Sequence, residues 1–151
     1  MSKNTGASKF RKVNVDDYDE GRYCDDDGEN GNQDQGPSEG DINTLLSQGR
    51  NVDALKSILN NAPIGTKSQD IKDKTTQLAI RVLTSFKNSE IQPTVQGLDQ
   101  RSVDMLMKYI YRGFEFPTEG SSASLLTWHE KVYASGGVGS IVRVLTDRKR
   151  V

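Results

Sequence analysis

The sequence contains little of what stabilises a secreted domain or builds a membrane protein. Cys24 is the only cysteine among 151 residues, so no disulfide bond can form within the chain, and a reducing compartment is expected. No apolar run approaches the roughly 20 residues that cross a bilayer, and the first residues lack the order of a secretory signal. These absences predict a soluble cytoplasmic protein.

Recognisable catalytic motifs are also missing from the sequence. His129 is the only histidine, and it lies on an apolar stripe, which favours a packed or partner-facing imidazole over a catalytic one. The stretch HEKVY has Tyr133 where a zinc-protease motif has its second histidine, and GTKS at 65–68 lacks the glycines of a phosphate-binding loop. DDDGENGNQDQG resembles a calcium loop in composition only. We therefore predict no catalytic residue, no metal site and no cofactor.

The net charge of −1 combines two unlike parts of the chain. Residues 1–40 contain five Lys or Arg against ten Asp or Glu, giving −5, whereas residues 41–151 contain fifteen against eleven, giving +4. Basic residues follow one another at Arg148, Lys149 and Arg150, but nucleic-acid binding calls for a denser patch with interleaved aromatic residues. A solvated helix end that meets an acidic protein surface is the better interpretation.

The acidic first part is predicted to be a flexible arm over residues 1–38. Residues 16–40 are rich in Asp, Gly, Asn and Gln, and too few apolar side chains are present to offset the entropy lost when the backbone is ordered. We therefore expect this part to be disordered when the chain is alone. Apolar side chains nevertheless recur in a segment that cannot fold by itself; they are Phe10, Val13, Val15, Tyr18 and Tyr23.

The apolar residues from position 39 onward follow the period of an α-helix, punctuated by Gly and Pro. This predicts an all-α array of about seven helices, stacked as helix pairs in an α-α superhelix-like arrangement. Pro93 is expected within the first turn of its helix, where its missing N–H does no harm. The first six predicted helices occupy 39–49, 51–62, 68–86, a segment from about 90–92 to 97, 103–116 and 121–135. The β-branched residues of the last segment, 138–151, favour a strand, but the chain has no second strand candidate to pair with it, and the basic residues at 148–150 suit a helix C-terminus, so a seventh helix is predicted there.

The helix around VDMLMKYIYRGFEF carries apolar side chains on two faces, which is more than one small core requires. Met together with Tyr is typical of protein contact surfaces, so these faces predict partner binding by the helical body. The alternative that both faces are internal stays open, because Tyr and Met are often buried. The predicted body contacts are Met105, Tyr109, Tyr111, Trp128, Arg148 and Lys149.

Four longer stretches together resemble subunit 5 of the actin-related protein 2/3 complex. They are SKFRKVNVDDYDEGRY at 8–23, GTKSQDIKDK at 65–74, VDMLMKYIYRGFE at 103–115 and LLTWHEKVYASGGVGSIVRVLT at 125–146. The resemblance covers nearly the whole chain and thins only at about 28–38. It implies an all-helical, non-catalytic subunit that supports nucleation of branched actin filaments, with ATP bound by the actin-related subunits and not by this chain.

The resemblance also implies partners and a location. The helical body, residues 39–151, would dock on subunit 4 and on the propeller subunit, and actin filaments would be reached through the complex. The expected location is the cytoplasmic actin cytoskeleton, in lamellipodia and other cell projections, with the nucleus as a further compartment. The arm residues that stand where the family meets actin-related protein 2 are Phe10, Arg11, Val13 and Tyr18.

The residues alone leave one alternative to this role. A free-standing cytosolic helical adaptor that binds a partner helix in a groove would show the same helical periods and the same scarcity of catalytic groups. Neither interpretation predicts nucleic-acid binding or insertion into a membrane.

Overall fold

The computed structural model describes residues 36–147 and 149–151, and its regular structure is helical throughout. No strand occurs among these residues, so the all-α prediction is confirmed. Residues 1–35 of the predicted arm lie outside the described residues. The six helices are α1 (Glu39–Ser47), α2 (Asn51–Asn60), α3 (Gln69–Thr84), α4 (Asn88–Gln96), α5 (Gln100–Glu115) and α6 (Ser121–Thr146).

The predicted hairpin of two short helices is present at the start of the body. Ser38 precedes α1, and its Oγ accepts a hydrogen bond from the Asp41 N–H at 3.4 Å. Gly49 follows α1 with a φ of 73°, a conformation that costs glycine little, and its N–H donates to the Leu46 carbonyl at 3.0 Å. The chain therefore turns within a few residues, and α2 packs back on α1.

The predicted start of α4 is wrong. The helix begins at Asn88, which places Pro93 in its interior and not within its first turn. Pro93 offers no N–H to the carbonyl of Ser89, but both residues are exposed, so water can reach that carbonyl. At the start of the helix the Lys87 N–H donates to Glu90 Oε2 at 3.4 Å, which stabilises the earlier start.

The last two predicted helices form one helical segment with a break inside it. The backbone of α6 leaves the helical region at Gly137, with φ 63° and ψ −170°, a conformation that essentially only glycine adopts. The predicted stop at Gly136 and Gly137 is therefore a break within α6, and six helices are observed where about seven were expected. We call residues 121–136 the proximal half of α6 and residues 138–146 its distal half.

The fold is organised around α5, which packs along α6 and against α2 and α3. Gly113 permits the closest approach, since a Cβ at this position would lie 2.9 Å from Leu125 Cδ1 and 3.3 Å from Ile80 Cγ1. Within the described chain, no helix is long and apolar enough to cross a membrane. Fully buried side chains come from all six helices and include Ile42, Leu55, Ile58, Leu83, Ile91, Leu106, Ile110, Leu125 and Trp128.

Trp128 fixes the proximal half of α6 to the end of α3. Its Nε1 donates a hydrogen bond to the Leu83 carbonyl at 2.9 Å, and Ser124 Oγ donates to the same oxygen at 3.3 Å. Leu83 lies in the last turn of α3, where carbonyl groups have no partner within the helix. The indole also meets the Phe86 ring edge-on, with 5.1 Å between the ring centroids. The proximal half is thus firmly part of the body.

Candidate protein-docking surface

Three of the predicted docking residues lie inside the body. The side chains of Trp128, Tyr109 and Met105 are 0%, 1% and 6% exposed, and all three belong to the hydrophobic core. In this conformation they contact the chain's own helices, because α5 is covered by α6 on one side and by α2 and α3 on others. The internal alternative describes their position in the chain alone, and contact of these three residues with a partner stays a prediction.

The other predicted contact residues have different positions. Tyr111 is half-buried at the surface, and Lys149 is exposed, with its carbonyl accepting a hydrogen bond from Lys108 Nζ at 3.0 Å. Contacts of these two residues with a partner stay predictions. Five further residues lie outside the described residues, so their roles also stay predictions; they are Phe10, Arg11, Val13, Tyr18 and Arg148.

Exposed apolar side chains are concentrated on α6. Of the seven large apolar side chains that are exposed in the described part of the chain, five belong to this helix, with exposures between 42% and 70%. Within each half of α6 the spacing of three, four or seven residues puts them on one helix face. We call them the α6 row; they are Leu126 and Tyr133 in the proximal half and Val138, Val142 and Leu145 in the distal half.

An aromatic cluster adjoins the proximal part of the row. The ring of His129 stacks parallel to Tyr133, with 6.4 Å between centroids, and meets Tyr111 at a steep angle with 5.7 Å between centroids. Tyr111 Oη lies 3.5 Å from His129 Nε2, and Phe114 lies against both rings. The imidazole is half-buried among aromatic rings, as its place on an apolar stripe predicted. Such a cluster supplies flat, stackable surface for a protein contact.

Charged pairs attach the distal part of the row to α5. Arg143 Nε and Nη2 each donate to a different carboxylate oxygen of Asp104 at 2.8 Å, and the hydrogen bond to that carboxylate raises the pKa of Arg143. Asp147 contacts Lys108 Nζ just beyond the helix. Partial burial opposes ionisation of Asp147, but the hydrogen bonds from Lys108 and from the Lys149 N–H prevail and lower its pKa. The distal half is therefore held by ionised groups.

Most of the α6 row was missing from the predicted contacts, although the sequence contains a partial signal for it. Leu126 lies beside the stripe formed by Leu125, Trp128 and Val132, so one helix shows two apolar faces. Only one of the two can face α5. The sequence does not say which one, and the structure buries the face that contains Trp128.

The site offers contact surface and no assembled reactive group. Among residues 36–147 and 149–151, no group of three or more His, Cys, Asp or Glu side chains could hold a metal ion. The polar atoms near the row are engaged in ion pairs or ring contacts, as for Arg143 and His129. Exposed aliphatic and aromatic side chains bordered by paired charges are the composition of a protein interface.

Several known proteins are similar to this sequence over its whole length. The family described as ARP2/3 complex 16 kDa subunit (p16-Arc) matches residues 9–151. "Actin-related protein 2/3 complex subunit 5-C" of Xenopus laevis is 53% identical over 151 residues, covering 100% of both chains. The human "Actin-related protein 2/3 complex subunit 5-like protein" is 48% identical over 153 residues with the same coverage.

The similarity extends to a distant animal lineage. The "Probable actin-related protein 2/3 complex subunit 5" of Caenorhabditis elegans is 33% identical over 143 residues, which cover 94% of this chain and 97% of the worm protein. Both the match of the family pattern and identities near one half over the full length are well beyond what a shared fold alone produces. The chain therefore belongs to the p16-Arc family, the 16 kDa subunits of the ARP2/3 complex.

Proposed function

We propose that this chain is a non-catalytic structural and regulatory subunit of the actin-related protein 2/3 complex and supports nucleation of branched actin filaments. Its helical body docks on subunit 4 and on the propeller subunit, and its arm contacts actin-related protein 2. The observation that carries the docking role is the α6 row, a set of five exposed apolar side chains on the two halves of α6. Membership of the p16-Arc family supplies the identity of the assembly.

Exposure on this scale favours a body that is covered by a partner. Single exposed apolar side chains are common on monomers, but a concentration of them on one helix marks an interaction surface. Leu145 and Leu126 are 70% and 61% exposed, so more than half of the surface of each residue is available to a docking partner. Each such side chain contributes roughly 1 kcal/mol or more when it is fully buried in an interface.

The arm completes the proposed role. The family pattern begins at residue 9, so it includes Phe10, Arg11, Val13 and Tyr18. A stretch of about 30 residues spans at most roughly 100 Å, and a linked binding segment acts at an effective concentration near the millimolar range. Weak anchors on such a segment are enough to keep actin-related protein 2 associated while that subunit changes position.

The docking surface is tested by removing apolar groups from the row without touching the core. The double variant Val142→Gln with Leu145→Gln keeps the helix, because Gln is a good helix former, but deletes two exposed apolar anchors. We expect its affinity for the remaining co-expressed subunits to fall about 10- to 100-fold, since every 1.4 kcal/mol is a factor of ten. Co-elution in size exclusion and titration of the purified chain onto the remaining complex measure this.

Val52→Gln is the matched control for that experiment. Val52 is also an exposed valine, but it lies on α2, away from the row. The control should assemble like the unaltered protein. Equal affinity of the double variant and the control would contradict docking through the α6 row and would favour a free-standing helical adaptor with a different contact surface.

A further inference from the structure

The distal half of α6 has little apolar support of its own. Three of its large apolar side chains, Val138, Val142 and Leu145, face outward. Ser140 is its only buried residue, and Ile141 and Val144 are partly buried. The break at Gly137 interrupts the helix immediately before it. Packing alone therefore gives this segment far less anchorage than Trp128 gives the proximal half.

The residues that follow α6 fold back across two other helices. Lys108 on α5 contacts the Asp147 carboxylate and donates to the Lys149 carbonyl at 3.0 Å. Lys72 on α3 donates to the Arg150 carbonyl at 2.9 Å. We call residues 147 and 149–151 the tail segment. The tail segment joins the end of α6 to α3 and α5. The residues in contact lie between 39 and 78 positions apart in the sequence.

The tail segment also contributes to the core. Val151 is only 3% exposed and belongs to the same hydrophobic cluster as the buried residues of α5. Within the tail, the Lys149 N–H donates to Asp147 Oδ1 at 2.9 Å, which stabilises the bend between the two residues. A segment of so few residues is thus held both by an apolar anchor and by hydrogen bonds from lysine side chains to its carbonyl groups.

Lys108 is the centre of this arrangement. Its side chain is 12% exposed, far less than an ordinary surface lysine, so its ammonium group requires polar partners in the fold. Within the described chain its two acceptors, Asp147 and the Lys149 carbonyl, both belong to the tail segment. Loss of the tail would leave this charge in a poorly hydrated place, which is more costly than the loss of an exposed ion pair.

We propose that the tail segment is a clasp that holds the distal half of α6 against α5 beyond the break at Gly137. Lys108 and Val151 are its positioning residues. The clasp keeps Val138, Val142 and Leu145 in a fixed place, so that a docking partner meets an ordered surface and does not have to order it. The clasp is a property of the isolated chain, and only its benefit to docking rests on the proposed function.

Hydrogen exchange of the isolated full chain tests the clasp directly. In the Lys108→Met variant a side chain of similar length remains, but its charge and its hydrogen bonds to the tail are removed. We expect amides in residues 138–146 to exchange about tenfold faster or more, while residues 121–136 keep their exchange rates, because local opening is confined to the weakly packed segment. Lys74→Met, at an exposed position on α3, is the matched control and should change neither half.

A second variant guards against a general loss of structure. Val151→Ser weakens the apolar anchor without altering Lys108, and it should also accelerate exchange selectively in residues 138–146. Unchanged exchange there in both variants would overturn the clasp. Equal acceleration in both halves of α6 would also overturn it, because the tail would then be one more part of a uniform core. Normal assembly of the Val142→Gln and Leu145→Gln variant would instead refute the docking surface and leave the clasp standing.

Discussion

At the scale of single residues, Tyr109 shows that the core is not fully satisfied. Its ring is buried in the core of the body, and its hydroxyl has no hydrogen-bond partner in the part of the chain that the structure describes. Burial raises the pKa of this phenol well above its ordinary value of 10. The aromatic ring therefore stabilises the core while the hydroxyl on it is a cost.

The variant Tyr109→Phe is expected to stabilise the protein. It keeps the ring and removes a buried polar group without a partner, which should raise the free energy of unfolding by about 1 kcal/mol. Urea unfolding followed by circular dichroism measures this, and Tyr111→Phe serves as the control because Tyr111 Oη lies near His129 at the surface. A loss of more than about 1 kcal/mol in Tyr109→Phe would mean that the hydroxyl has an unrecognised partner.

The difference in stability between the Tyr109→Phe variant and the unaltered chain should depend on pH in alkaline solution. In the unfolded chain Tyr109 ionises near its ordinary pKa of about 10, whereas in the folded chain it stays protonated. The folded state then binds more protons, so stability falls as the pH rises above about 10. The Tyr109→Phe variant lacks this contribution. Its stability advantage over the unaltered chain should therefore grow from about pH 10 upward, and a constant difference would contradict the raised pKa.

The sequence predicted which residues share a helix better than it predicted which of them are buried. The helical period placed His129 on an apolar stripe, but the period does not show which stripe of α6 a second helix covers. The partner of the Trp128 indole N–H is the carbonyl of Leu83, 45 residues away, and such a long-range contact leaves no local signal. Trp128 and Tyr109 consequently looked like docking residues, whereas Val142 and Leu145 looked like ordinary helix positions.

At the scale of elements, the close packing around α5 depends on a glycine. Gly113 lies in the interior of α5, where a side chain would meet Leu125 on α6 and Ile80 on α3. We expect Gly113→Ala to lower the free energy of unfolding by about 1 to 3 kcal/mol, because three well-packed helices would have to move apart. Thermal and urea unfolding measure the change.

Gly40→Ala is the matched control for Gly113→Ala. Gly40 is also a helical glycine, in α1, and the nearest atom to an added Cβ would be Ser38 Oγ at 3.9 Å. Alanine is a better helix former than glycine, so this control should raise stability by up to about 1 kcal/mol. If the free energy of unfolding falls in Gly113→Ala and rises in Gly40→Ala, packing governs the effect at Gly113. Stabilisation by both would contradict the tight three-helix contact.

Elements with clear local signals agree with the prediction, and those whose boundaries depend on context differ from it. Ser38 and Gly49 bracket α1 as expected, because a cap and a left-handed glycine act within a few residues. The start of α4 was misplaced because proline is not excluded from a helix interior when, like Pro93, it lies on the exposed side of the helix. The break at Gly137 did not end α6, since the distal half continues in helical form and is held by contacts with Asp104 and Lys108.

At the scale of the whole molecule, the acidic residues 1–40 and the basic residues 41–151 suit different partners. The helical body presents apolar side chains on α6, which favours a stable contact with the assembly. The proposed arm has few apolar groups, so its own contact should be weaker and more sensitive to conditions. This division agrees with the proposal that the body provides attachment and that the arm retains actin-related protein 2.

Deletion of residues 1–35 separates the two roles. The shortened chain contains all six helices, so it should still assemble with subunit 4 and the propeller subunit. Actin-related protein 2 should dissociate more readily, because a linked segment no longer holds it at a high effective concentration. Nucleation of branched filaments should fall accordingly. Dilution of the assembled complex followed by size exclusion, together with a pyrene-actin polymerisation assay, measures both effects.

A substitution control distinguishes the anchors from the length of the arm. Replacing Phe10, Val13 and Tyr18 by Ser keeps all 151 residues but removes the apolar groups proposed to meet actin-related protein 2. If burial of these side chains provides the retention, the substituted chain should lose actin-related protein 2 nearly as readily as the deletion, with body assembly unchanged. Full retention and full nucleation in both variants would refute the arm's role and leave the α6 row as the chain's principal contact with the complex.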